Sequence, residues 1–216
     1  MKRVLAAMMV ATLLVACGGK PRAPDWQLNA HDSLERYVKA YLGGNARVEA
    51  LEFARARSEL EATGQAGLVA RAELTRCAAQ VASLVIEPCT GFERLRADAP
   101  APERAYADYL AGRIDPPDIA LLPPQHRAVA GGQGEAGALQ AIEDPLSRLV
   151  AAGVLMRTGR ATPAVLDLAV ETASGQGWRR PLLAWLGVQA RRAELAGEVD
   201  EAQRLRRRMA LAAGDK

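Results

Sequence analysis

The amino-acid sequence predicts an all-α protein, an irregular stack of antiparallel helical hairpins that follows a cleaved N-terminal segment. The chain is rich in alanine and leucine and only 4% aromatic, a composition that favours helices. Ala70, Leu74, Cys77, Val81 and Leu84 recur at steps of four and three, which is the period of a helix with one buried face. Glycines and prolines interrupt the chain at helix-length intervals, as expected at turns between helices.

The N-terminus carries the three parts of a secretory signal peptide. Lys2 and Arg3 precede an apolar run from Val4 to Val15, and small residues follow it. The run is shorter than the ~20 residues that a membrane-spanning helix needs. We therefore expect residues 1–16 to be an export signal that is removed.

The residues around the expected cleavage point, Leu14-Val15-Ala16-Cys17, resemble the lipobox of bacterial lipoproteins. This resemblance implies cleavage before Cys17, a diacylglycerol on its sulfur and an acyl group on its new amino terminus, with no other cofactor. Gly18 follows the cysteine where an aspartate would retain such a protein in the inner membrane, so the resemblance also implies anchoring at the periplasmic face of the outer membrane. The alternative is a conventional signal peptide cut near Ala16, which leaves a thiol at Cys17.

The charge of the mature chain argues against nucleic acid as a partner. Residues 1–16 contain Lys2, Arg3 and no acidic residue, so their removal lowers the formal net charge from +3 to +1. A nucleic-acid-binding protein is expected to carry a strong, clustered basic excess. The sequence instead predicts a membrane contact through the lipid anchor and a periplasmic or outer-membrane protein partner.

The mature chain divides into a short tether and two helical parts. Residues 17–25 are rich in glycine and proline, which is typical of a flexible tether. In residues 26–112, Asp32 and Glu35 have the spacing of a helix start, so we expect helices over 32–43, 46–62, 70–84 and 103–112. Residues 113–134 form a connection rich in proline and glycine, in which Ile119, Leu121 and Leu122 are expected to lie against the helices.

The C-terminal helical part covers residues 135–216. The predicted helices are 135–143, 145–158, 163–175, 181–196 and 199–212. Gly197 is followed five residues later by Ala202, and Ala190 lies in the preceding helix. This junction resembles that of tetratricopeptide repeats, in which small residues let two helices approach closely. Gly159, Ala164 and Ala152 form a weaker copy, and Gln189 and Ala193 depart from the large apolar residues of the family pattern.

Cys77 and Cys89 are predicted to form a disulfide. Cys77 lies on the apolar stripe of its helix, and Pro88 forces the chain to leave the helix before Cys89. The helix rises ~10 Å from Cys77 to Leu84, and five extended residues span ~16 Å, so Cys89 can return beside Cys77. Export favours the bond because the periplasm is oxidising. The alternative is a buried Cys77 thiol with Cys89 elsewhere.

No linear motif in the sequence identifies a catalytic or metal-binding residue. His31 and His126 are the only histidines, and we expect the first at a helix end and the second in a loop. Arg204, Arg206, Arg207 and Arg208 form the one dense basic run. They are a possible contact for an anionic surface, or cations that stabilise the end of the last helix through its dipole. Trp185 is expected in the core.

Two functions follow from these observations. The favoured one is an outer-membrane-anchored periplasmic lipoprotein that acts as a helical protein-interaction or scaffold module of the cell envelope. The alternative is a cell-wall-active hydrolase with no recognisable linear motif. A cleft with converging buried carboxylates would favour the hydrolase, and a groove lined by small and aromatic side chains would favour the interaction module.

Overall fold

A computed structural model of the protein describes residues 23–133 and 135–214. Over these residues the chain is α-helical with one 3-10 helix (Pro116–Leu121) and contains no β-strand. The predicted all-α helical stack is confirmed. The expected signal peptide and Cys17 lie outside the described residues.

The α-helices are α1 (Asp25–Gly43), α2 (Ala46–Glu61), α3 (Ala66–Ala82), α4 (Thr90–Glu93), α5 (Ala101–Leu110), α6 (Pro124–Ala130), α7 (Glu135–Gln140), α8 (Pro145–Arg157), α9 (Pro163–Gly175), α10 (Arg179–Leu195) and α11 (Val199–Ala213).

The first hairpin, α1 and α2, packs on α3 around a small aromatic core. Gly44 adopts a left-handed conformation (φ 79°) at the turn, and the Asn45 side chain accepts a hydrogen bond from the amide of Val48, which caps α2. The Tyr37 ring lies 5.9 Å from that of Tyr41 and 5.1 Å from that of Phe53. We call this cluster the smaller core.

Charged side chains close the smaller core from outside. Arg180 at the start of α10 lies over the Tyr41 ring, 4.0 Å from its centroid. The same guanidinium forms an ion pair with Glu49 of α2 at 2.6 Å. Arg76 of α3 covers Phe53 at 5.0 Å. Arg180 thus joins α10 to the first hairpin, and Arg76 joins α3 to it.

A second, larger core runs through α3, α5, α8, α9 and α10 and extends to Leu205 of α11. Trp185 is completely buried there, as predicted, and its indole N–H donates a hydrogen bond to the Ala82 carbonyl at 3.0 Å. Gly153 of α8 lies so close to α3 that a Cβ atom at this position would overlap the carbonyl of Val81. Helices α3 and α8 are therefore in direct backbone contact.

The C-terminal helices α8 to α11 pack in sequence, each on the next. Gly159 and Gly197 adopt left-handed conformations (φ 72° and 76°) at two of their turns. The small residues Ala152, Ala190 and Ala202 are buried between helices, whereas Ala164 is exposed.

Helix α1 begins at Asp25, seven residues before the start that Asp32 and Glu35 predicted. The predicted start was wrong because the preceding turn also contributes to the core: Ala30 is buried in the smaller core and Trp26 packs against it. Burial of that apolar surface outweighs the local capping preference. His31 consequently lies within the helix, where its Nε2 is 3.3 Å from a Glu35 carboxylate oxygen.

The chain turns sharply where α3 ends. Leu84 has a φ of 57°, the one left-handed residue other than glycine in the described part of the chain. The amide of Val85 donates to the Gln80 carbonyl at 2.9 Å and that of Leu84 to the Val81 carbonyl at 3.0 Å, the pattern of a Schellman motif. This turn directs the following segment back along α3.

No helix in the described part of the chain has the length and apolar character needed to cross a membrane.

Candidate functional site

One depression in the described surface is a groove of about 480 Å³ between α3, α5, α8 and the segment after the 3-10 helix. We call it the α3–α5–α8 groove. Its lining is mostly apolar, with four polar residues. The lining residues are Leu74, Ala78, Pro102, Tyr106, Leu121, Leu122, Pro123, Leu146 and Val150, with Arg71, Thr75, Glu103 and Ser147.

The apolar stripe of α3 forms one wall of this groove. Leu74 is buried in the larger core on one side and borders the groove on the other. Leu122, which also lines the groove, is 1% exposed and lies against the helices as predicted, whereas Ile119 is only half-buried. Leu121 beside Leu122 is 39% exposed at the groove edge. The groove thus offers apolar side chains that are held by buried neighbours.

Glu103 is the acidic residue that lines the groove among the described residues. It lies in the first turn of α5 and is 7% exposed. Its Oε1 accepts a hydrogen bond from Nε of Arg71, a largely exposed side chain of α3. Its Oε2 is buried and has no hydrogen-bond partner in the described part of the chain. Because burial of a polar atom without a partner is unfavourable, this oxygen is a vacant acceptor.

An aromatic cluster adjoins the groove, with Tyr106 in its lining and Tyr109 and His126 buried. The Tyr106 ring lies 5.6 Å from the His126 ring, and Tyr109 Oη lies 3.3 Å from His126 Nδ1. Burial raises the pKa of both tyrosines and lowers that of His126 to about 4, against an opposing effect of the Asp144 charge. All three rings are thus neutral near pH 7 and support the groove wall.

His126 is in helix α6 and 1% exposed, so the expectation that it lies in a loop was wrong. The helix that contains it spans only residues 124–130. A segment of this length between two prolines and two glycines shows no helical period in the sequence. Its burial depends on Tyr106 and Tyr109, which lie on another helix.

The structure joins Cys77 and Cys89 in a disulfide, with their Cα atoms 5.9 Å apart. The predicted pairing is confirmed in this geometry. Cys77 is buried in the larger core, as its place on the α3 stripe predicted. The bond ties the start of α4 to α3.

A buried carboxylate lies beside the disulfide. Glu73 is 1% exposed, and its Oε1 accepts a hydrogen bond from Arg57 of α2. Arg76 Nε lies 3.8 Å from the other oxygen. A Cβ atom at Gly91 would overlap this carboxylate, so a glycine is required at that point of α4.

The basic run on α11 is partly neutralised. Arg204 pairs with Glu201 at 2.6 Å, and Arg206 pairs with Glu194 of α10 at 2.7 Å. Arg207 and Arg208 have no ion pair within the described residues. A contact of this helix with an anionic surface therefore stays a prediction.

The groove residues Arg71, Glu103 and Tyr106 were not identified from the sequence. They lie on two helices about thirty residues apart, and no motif marks them. In the described residues, no group of three histidine, cysteine or acidic side chains is placed to hold a metal ion.

Comparisons with known proteins give no match: none was found to a family model, to a curated protein or to a solved structure.

Proposed function

We propose that this chain is a lipoprotein of the bacterial cell envelope that binds another envelope protein in the α3–α5–α8 groove. In this proposal Cys17 carries the diacylglycerol and the N-acyl group, and Gly18 directs the protein to the periplasmic face of the outer membrane. The partner is a periplasmic or outer-membrane protein. No nucleic acid is involved.

The groove itself is the observation that carries the binding function. It combines a volume of about 480 Å³ with a mostly apolar lining, and apolar surface in such a depression favours contact with a partner over contact with water. Its walls are fixed by the larger core through Leu122 and by the buried cluster around His126. A wall that is already ordered loses little conformational entropy on binding.

We further propose that helices α8 to α11 are related to tetratricopeptide repeats. The left-handed glycines at the turns and the buried Ala152, Ala190 and Ala202 support this relation. The exposed Ala164 departs from it, since the corresponding small residue would lie between helices. Such folds commonly present a surface to another protein.

The cell-wall hydrolase is the weaker proposal. Glycoside hydrolysis usually needs two carboxyl groups that flank the scissile bond. Glu103 is the one carboxylate that lines the groove in the described residues, and its partner there is Arg71. A single buried glutamate supports a binding contact better than an acid and base pair.

Replacement of Cys17 tests the anchor. The Cys17→Ser variant should incorporate no labelled palmitate and should accumulate as precursor or leave the membrane fraction, whereas Cys77→Ser, the matched cysteine control, should still be acylated. Density-gradient separation should place the parent protein with outer-membrane markers. Palmitate incorporation that survives in Cys17→Ser would refute the anchor, and recovery with the inner membrane would refute the sorting.

Site-specific photocrosslinking tests the groove. A photoreactive side chain at Thr75, which lines the groove, should crosslink in cells to one defined protein. The same side chain at Gln203, exposed on α11, is the control. Crosslinks of equal yield and identity from both positions, or none from Thr75, would contradict binding in the groove.

A further inference from the structure

Three glutamates are buried in the described part of the chain, and their partners differ. These are Glu52 at 6%, Glu73 at 1% and Glu103 at 7% exposed. A buried carboxylate is stable only when its charge and its oxygens are compensated. The side chains that surround the first two glutamates therefore show which partners this protein provides for a buried carboxylate.

Glu52 and Glu73 each have two arginines. Arg36 Nε donates to Oε2 of Glu52 at 2.9 Å and Arg55 Nη1 to its Oε1 at 3.0 Å. The hydrogen bond from Arg36 is the main cause that lowers the pKa of Glu52. At Glu73, Arg57 donates a hydrogen bond to Oε1, whereas Arg76 Nε lies 3.8 Å from Oε2, which is an ion-pair contact without a hydrogen bond.

Glu103 has only one arginine in the described part of the chain. Arg71 occupies Oε1, and Oε2 stays buried without a donor beside the apolar lining of the groove. Arg71 approaches from the solvent side, since 65% of its side chain is exposed. The second arginine that is present at Glu52 and Glu73 therefore has no counterpart at Glu103, and Glu103 is a residue that lines the groove.

We propose that the partner supplies this second cation: the segment that binds in the groove is an apolar peptide stretch with one lysine or arginine that pairs with Oε2 of Glu103. This inference rests on the proposed binding function and adds the chemistry of the partner segment. The apolar side chains of the segment contact Tyr106, Leu121 and Leu146, which line the groove and are at least partly exposed, and the charge selects among apolar segments. A hydrogen bond to a buried charged group is stronger than one between neutral groups.

Three short peptides with one shared leucine and alanine sequence test the proposal. Their central residue is lysine, glutamine or glutamate. Binding is measured by fluorescence anisotropy to the acylated full-length mature protein in phosphatidylcholine nanodiscs, with empty nanodiscs as the blank. We expect the lysine peptide to bind about tenfold or more tighter than the glutamate peptide, since each factor of ten corresponds to about 1.4 kcal/mol.

Two groove variants distinguish an ion pair between Glu103 and the lysine of the peptide from an indirect effect of the substitution on the shape of the groove. Glu103→Gln should bind all three peptides with similar affinity. Arg71→Gln should increase the preference for lysine, because it removes the cation that competes for Glu103. Glu59→Gln, at a half-buried glutamate of α2 outside the groove, is the matched control and should leave the preference unchanged.

The results distinguish this inference from the proposed function. Equal binding of the lysine and glutamate peptides, no binding of any peptide, or a preference that survives in Glu103→Gln would overturn the basic partner segment. A Thr75 crosslink to one protein would in each case leave binding in the groove intact. Loss of that crosslink would instead remove the proposed function.

Discussion

The smaller and the larger core are closed in different ways, although α3 contributes to both. Around Tyr37, Tyr41 and Phe53, the smaller core is covered by arginines that also pair with glutamates, such as Arg180 with Glu49. The larger core is closed by backbone contact at Gly153, by the Cys77–Cys89 disulfide and by neutral buried rings.

This difference separates two kinds of stabilisation within one molecule. Partly exposed ion pairs are weakened by salt and each contribute little, so the edge of the smaller core should respond to ionic strength. Close packing and a covalent bond are insensitive to salt, and their loss affects a larger share of the free energy of unfolding. The stability of the larger core should respond to changes in side-chain volume, to reduction of the disulfide and to acid.

The largest expected effect is that of Gly153→Ala. The added methyl group must displace α3 or α8 because it would overlap the Val81 carbonyl, and we expect the free energy of unfolding to fall by about 3 kcal/mol or more. Gly187→Ala on α10 is the matched control, since its Cβ would meet only Met209 Cε at 3.7 Å. That control should be neutral or stabilising by up to ~1 kcal/mol.

Urea unfolding of both glycine variants, followed by circular dichroism, measures this difference. Amide hydrogen exchange locates it, with faster exchange expected in α8 than in α1 for Gly153→Ala. Equal stability of the two variants would show that the larger core is not closed by backbone contact.

Loss of the disulfide should have the next largest effect. A bridge between cysteines twelve residues apart stabilises the native state by about 2–3 kcal/mol in the chain-entropy model. The Cys77→Ala and Cys89→Ala double variant should therefore unfold at lower urea concentration, with the first losses of amide protection in α4 and the adjoining part of α3.

Mass measurement of the parent protein establishes that the bond exists in solution. Alkylation in denaturant should label neither Cys77 nor Cys89 before reduction and both after it. Two labelled cysteines in the unreduced protein would rule the bridge out.

Acid should destabilise the larger core through His126. Its pKa is about 4 in the folded protein and ~6.5 in an unfolded chain, so the native state binds the proton less readily. Stability is fully present above pH ~6.5 and falls as the pH decreases toward 4, by about 2 kcal/mol at pH 5 from this residue.

Stability measured from pH 7.5 to 4 in wild type, His126→Gln and His31→Gln checks this assignment. The His126→Gln variant should lose this part of the pH dependence, and His31→Gln, altered at an exposed histidine of α1, should retain it. If the free energy of unfolding of His126→Gln depends on pH as strongly as that of the wild type, another residue causes the acid sensitivity.

The helical period of α3, the disulfide and the burial of Trp185 could be predicted because their causes are local or compositional. The stripe from Ala70 to Val81 faces the core, and two cysteines twelve residues apart can meet across one turn. The start of α1 and the burial of His126 could not be predicted, since each depends on side chains from other helices.

The groove could not be predicted from the sequence for the same reason. Arg71, Glu103, Leu122 and Val150 belong to four separate segments, and only packing brings them together. The single arginine at Glu103, where Glu52 and Glu73 each have two, is likewise visible only in the packed structure.

The fit around Gly91 has a consequence for how this sequence can diverge. Glu73, Cys77, Cys89 and Gly91 constrain one another, because the glycine makes room for the glutamate and the disulfide holds the two segments at that distance. They should be kept or lost as a unit. A distantly related sequence with little remaining sequence identity would thus be recognised by a glutamate four residues before the first cysteine of the disulfide and a glycine two residues after the second.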